Sequence, residues 1–155
     1  MNMDLRPSQI RFSQDSINNK FDKKSAHAKR PIGETLDALL KGECDISHIP
    51  PITVVDRDGV WFTVDNRRLW VFRKLEELGK CTKISVKKGY RIPSKKFTTV
   101  NEGRSVTLRH DAGGSHWKVY RSSNENITGS VATTESRSRV YRHDRYRCRM
   151  RYYWC

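Results

Sequence analysis

Apolar residues at positions 32, 36, 39 and 40 share one face at helical period, so the pattern predicts a helix over Ile32–Glu43 that stops near Gly42. A second stripe, Leu69, Phe72, Leu75 and Leu78, is clearer. It opens after Asp65, a residue type that caps helix starts, and closes at Gly79. Between these helices the period changes. Ile49–Val55 is rich in β-branched residues, with Pro50 and Pro51 suited to a strand start, and Val60–Val64 follows a turn, Asp56-Arg57-Asp58-Gly59. The pair reads as a hairpin. Gln9–Ser13 and Cys81–Val86 alternate apolar with polar residues and read as further strands. Residues 104–121 predict another hairpin, with Val106 and Leu108 on one arm, Trp117 and Val119 on the other, and Asp111–Ser115 as its turn. Ser16–Pro31 is polar and reads as a loop or lid. After residue 122 the chain turns Ser/Thr/Asn-rich and then Arg-rich, and the patterning that signals ordered elements fades.

These elements predict an α+β fold. Its core, over residues 9–90, is a small mixed β-sheet with packed helices, followed by a β-hairpin over 91–122 and a basic extension over 123–155. The full length of 155 residues suits one such core with a tail.

Charge adds a partner to this picture. The net charge is +14, and the excess is spread along the chain: 20 basic against 12 acidic residues in 1–100, then 11 against 5 in 101–155. A field of that sign concentrates polyanions, which puts nucleic acid or nucleotide first among partners. The alternative is a basic protein kept from self-association by its charge. The tail sharpens the first reading. Arg137, Arg139, Arg142, Arg145, Arg147, Arg149 and Arg151 are interleaved with Tyr141, Tyr146, Tyr152, Tyr153 and Trp154, a composition that contacts phosphates and stacks on bases. A solvated basic tail, or a polar-faced strand, gives the same composition.

Cysteines 44, 81, 148 and 155 form no CxxC pair and have no His at zinc spacing, so free thiols in a reducing compartment are expected. No apolar run reaches membrane-spanning length, and the start of the chain has no apolar signal core. A cytoplasmic or nuclear protein with no membrane partner is the expectation, with Lys23-Lys24 and Lys29-Arg30 as a short candidate nuclear signal. Exposed sheet edges leave a homodimer open.

The segment with the most chemistry is Asp65-Asn66-Arg67-Arg68, where a strand turns into a helix. The first helical turn presents backbone N–H groups without intrahelical partners, and the helix dipole adds positive potential there. Arg67 and Arg68 add planar, bidentate donors suited to phosphate oxygens. Two readings stand at this point: an anion site, or a helix start whose Asp65 caps it and neutralises the arginines.

The run from Ile52 through Asp65-Asn66-Arg67-Arg68-Leu69 to Leu78 resembles the ParB/sulfiredoxin-like superfamily, with Thr82–Val86 as the downstream strand. Small ParB-like nuclease or toxin-type domains with Phe-Ser-Gln near the start, here Phe12-Ser13-Gln14, are the most similar. The resemblance covers about residues 9–90 and implies that Arg67 and Arg68 grip a phosphate. It places Asn66 where sulfiredoxin carries its catalytic cysteine, so it implies no sulfinic-acid reduction. ParB's Glu also falls on Asn66, which weakens a CTPase reading. The expectation is a nuclease acting on RNA or DNA. Asp65, Asn66, Arg67 and Arg68 are its candidate catalytic residues, Asn66, Arg67 and Arg68 its phosphate ligands, and Ser13 and Gln14 its supporting polar pair. Arg145, Arg147, Arg149 and Arg151 are the tail contacts. No cofactor is required, and magnesium through Asp65 is an option. The alternatives are an ATP- or CTP-binding phosphotransfer module and a noncatalytic nucleic-acid-binding protein. Asp56 and Asp58 read as turn formers rather than metal ligands. His110 and His116, placed across the expected hairpin from each other, read as surface residues more readily than as a general base.

Overall fold

A computed structural model describes residues 2–22 and 29–125. The tail arginines 145, 147, 149 and 151, together with Lys23 and Lys24, lie outside the described residues.

The hairpin expected in the middle of the chain is present: β4 (Ile52–Arg57) and β5 (Val60–Thr63) pair antiparallel. Asp56 accepts the Gly59 N–H at 2.9 Å, and Asp58 takes a positive φ of 54°, so both acids build the turn. Three more strands complete a five-stranded mixed sheet. β1 (Asn2–Leu5) and β6 (Ile84–Lys88) pair antiparallel, β6 and β4 parallel, and β5 and β2 (Ile10–Phe12) parallel, in the order β1-β6-β4-β5-β2. β1 went unread in the sequence because its alternation, Met3 and Leu5 after Asn2 and Asp4, spans only four residues; it forms by pairing with β6.

One face of the sheet is covered by helices. Ile10, Phe12, Ile52, Val54, Ile84 and Val86 point from it into the main core. They meet α1 (Ile32–Lys41) and α2 (Asn66–Glu77). α1 ends as expected, with Gly42 left-handed at φ 74°. In α2 the buried set is broader than one stripe: Trp70 and Val71 join Leu69, Phe72 and Leu75, because the helix lies between the sheet and its helical neighbours. Each such side chain contributes about 1.5–3 kcal/mol on burial. Gly79 closes α2, its N–H reaching Glu76 O at 3.0 Å while the Lys80 N–H reaches Leu75 O at 2.9 Å.

The second face carries a smaller cluster, Val55 and Phe62 beneath Ile92, with Phe97 against it. The segment after β6 therefore crosses this face.

The hairpin expected over 104–121 does not form. β7 (Thr107–Leu108) pairs parallel with β3 (Ser16–Ile17), and His116–Glu125 is a helix, α3. Its start is set from far away. The buried carboxylate of Asp37 on α1 accepts the backbone N–H groups of Ser115, His116 and Trp117 at 2.9, 3.1 and 2.8 Å. Three first-turn donors are thereby satisfied by one side chain, with the charge favourable to the helix dipole. Trp117 packs edge-on against Trp70 at 5.6 Å, so this stretch belongs to the same core. With no hairpin, His110 and His116 do not face each other across one.

Cys81 is a buried free thiol whose pKa is raised by burial. No helix among the described residues is long and apolar enough to cross a membrane.

Candidate functional site

The parallel pairing of β2 with β5 sets Phe12 opposite Thr63, so both strands end side by side at the amino terminus of α2. Ser13-Gln14 and Asp65–Arg68 therefore meet although 50 residues of chain separate them. Asn66, 4% exposed, is the link. Its Oδ1 accepts the Ser13 N–H at 2.8 Å, and its Nδ2 donates to Ser13 Oγ at 2.9 Å and Gln14 Oε1 at 3.3 Å. The expected supporting pair is thus in place, and its bonds run to Asn66. A buried amide so engaged holds two strand ends to a helix. It has little left to offer a phosphate.

Asp65 occupies the N-cap position but makes no side-chain cap bond, contrary to the expected role. Its backbone, at φ −109° and ψ 59°, turns the carboxylate toward β4 instead. Oδ2 accepts the Thr53 N–H at 2.8 Å, and Oδ1 accepts from Arg68 at 2.5 Å. Arg68 also donates to the carbonyls of Pro50 at 3.0 Å and Pro51 at 3.3 Å. This arginine pins the lead-in of β4 to α2.

Arg67 differs. Its partner is Asp22, at 2.6 Å, and that carboxylate is 78% exposed. An ion pair so open to water contributes about 0–1 kcal/mol, so an incoming anion displaces it at small cost. Arg67, Arg68 and Lys96 together line a cleft of 360 Å³ at the amino end of α2, with Gln14, Phe21 and Asp22 on its other sides. Lys96 was not singled out in the sequence. It arrives through the segment that crosses the second sheet face, and only the fold reveals it.

A further arginine went unnoticed. Arg73 sits four residues after Leu69, on the buried stripe of α2, and that position was its sequence signal. Its guanidinium donates to Ile10 O and Arg104 O at 2.7 Å each and lies 4.7 Å from the Phe12 ring centroid. Burial lowers its pKa, but a guanidinium remains charged. It clips β2 and the 104 loop to α2.

Magnesium finds a poor fit here. Both Asp65 oxygens are engaged, and among the described residues no group of three or more His, Cys, Asp or Glu side chains is placed to hold a metal. No histidine is among the residues lining the cleft.

Compared with protein-family models, curated proteins and solved structures, the chain matches none.

Proposed function

We propose that this chain is a nucleic-acid-binding domain of ParB/sulfiredoxin-like architecture that holds a backbone phosphate in the cleft at the amino end of α2. The observation that carries this reading is the convergence of Arg67, Arg68 and Lys96 on one cleft at a helix N-terminus. Arg67 exchanges its exposed partner Asp22 for phosphate, giving a charge-assisted, bidentate contact. Arg68 is already fixed by Asp65 and two carbonyls, so it supplies field more than new bonds. The net charge of +14 draws the polyanion in.

Binding is better supported than cleavage. The side chains of Asp65 and Asn66, two of the expected catalytic groups, are committed to holding the fold. A nuclease would have to work from the remaining rim, Asp22 with Arg67. The cleft volume lies in the range of small-ligand sites, which keeps a nucleotide as the second reading.

The experiment titrates purified protein into labelled RNA, single-stranded DNA and duplex DNA, with magnesium or EDTA, beside Arg67→Ala. Saturable, salt-sensitive binding weakened about tenfold in the variant is expected, the loss of one charged hydrogen-bonded contact. Unchanged binding by the variant overturns the site. Cleavage that disappears in the variant adds a nuclease activity. Saturable binding of a nucleoside triphosphate with none of an oligonucleotide favours the second reading.

A further inference from the structure

Between Glu77 and Glu102 the chain contains no acidic residue and seven basic ones, all exposed. Five of them, Lys87, Lys88, Arg91, Lys95 and Lys96, follow one path. Lys87 and Lys88 end β6, where Gly89 N–H bonds Val54 O at 2.8 Å. The chain then crosses the second sheet face, anchored by Ile92 and Phe97 on Val55 and Phe62. Arg57 lies on the Phe97 ring at 3.9 Å, extending the charge of this face from β4. The path finishes at Lys96 in the α2 cleft, and Thr98 and Thr99 then donate to Ser13 O at 2.9 and 3.1 Å. Both ends of the crossing are thus tied to strands, and the band has a defined course.

Two features mark it as a binding surface. Among the described residues, no ion pair takes up any of these five cations, whereas Arg6, Arg11, Arg30, Arg67, Arg68, Lys74, Arg104 and Lys118 all have acidic partners. In the middle of the band stands Tyr90, 98% exposed, on a well-anchored segment. Lys88 lies over the Trp61 ring at 5.8 Å, and a fully exposed aromatic ring flanked by cations without acidic partners has the composition of a base-stacking platform beside a phosphate track. Stacking of this kind needs an unpaired base, which a duplex does not offer.

We infer that the segment Lys87–Lys96 is a track for single-stranded nucleic acid, RNA or DNA, that leads its phosphates into the α2 cleft while Tyr90 stacks on a base. The inference rests on the reading of the chain as a nucleic-acid binder and names the strand class and the surface.

The test measures fluorescence anisotropy of labelled oligouridylate, oligothymidylate and a duplex of equal length with the full chain across a salt series. Tyr90→Ala is expected to weaken single-strand binding about tenfold and leave duplex binding within about twofold. The quadruple variant Lys87→Gln/Lys88→Gln/Arg91→Gln/Lys95→Gln is expected to flatten the slope of log affinity against log salt by about 3, at roughly 0.7 per cation removed. Circular dichroism checks that both variants stay folded, as exposed positions permit. Comparison of the two oligomers decides between RNA and DNA, and a preference for either upholds the track. Three results overturn it: wild-type affinity and slope in the quadruple variant, tighter duplex binding insensitive to Tyr90→Ala, or binding to phosphatidylserine vesicles with none to oligonucleotides. Arg67→Ala run in parallel separates the two claims. If it weakens binding while the quadruple variant does not, the cleft stands and the track falls.

Discussion

The amino end of α2 and the band after β6 are both basic and lie side by side, yet they treat charge in opposite ways. At α2, Arg68 is answered by Asp65 and two carbonyls, Arg67 by Asp22, and the amide of Asn66 by Ser13 and Gln14. In the band, five exposed cations have no acidic partner among the described residues. Polar groups satisfied inside the molecule hold the fold together, and exposed cations without an acidic partner are available to an anion. The difference shows that a run of basic residues is not one kind of feature. Even Arg67 and Arg68, adjacent in sequence, divide: Arg68 is mainly structural, while Arg67 is held by a bond cheap enough to exchange.

The largest effect that sharpens this comparison is on stability. Asn66→Ala leaves the Ser13 amide and hydroxyl without partners in a buried site, and is expected to cost about 3 kcal/mol. Replacing Lys87, Lys88, Arg91 and Lys95 together is expected to change stability by no more than about 0.5 kcal/mol. Guanidinium denaturation followed by tryptophan fluorescence measures both. A costly band variant or a harmless Asn66→Ala would erase the distinction.

Next in size is the split between the two arginines. Arg68→Ala removes a charged donor from a part-buried carboxylate and two carbonyls, an expected loss of about 2 kcal/mol. Arg67→Ala removes one open ion pair, and a loss below about 1 kcal/mol is expected. Equal losses in the same denaturation experiment would mean that the arginines share one role.

The smallest effect is in acid. The Thr98 hydroxyl beside Asp15 holds that carboxyl below its ordinary value of 3.8. A group whose folded pKa is depressed stabilises the fold above its unfolded pKa, and the contribution is lost as pH falls through the folded value. Thermal melts between pH 5 and pH 2 should therefore decline less steeply for Asp15→Asn than for the native chain. Parallel curves would show that the bond carries no stability.

Both main helices, the β4–β5 hairpin and a strand expected over Cys81–Val86, found at Ile84–Lys88, were legible in the sequence because each is written in local periodicity: Leu69, Phe72 and Leu75 on one helix, Ile84 and Val86 on one strand face. α3 was misread as a hairpin arm for the converse reason. Its cap, Asp37, lies 80 positions from Trp117, while the local signal was a Gly113-Gly114 turn followed by alternating Trp117 and Val119. At the candidate site, the residue types were visible and their commitments were not. Ser13 and Gln14 were expected near the turn, but that Asn66 spends itself on them depends on the register of two parallel strands. Asp22 and Lys96 reach the cleft from a polar loop and a crossover, where no period exists to read.

The most direct test of the proposed nucleic-acid surface is a backbone amide NMR titration of the full chain with a short oligothymidylate. Saturable shifts are expected at Asn66–Leu69 and across Lys87–Phe97, with the buried strands β4 and β6 unchanged at Ile52–Val54 and Ile84–Val86. Saturable shifts that spare both Asn66–Leu69 and Lys87–Phe97 would contradict it.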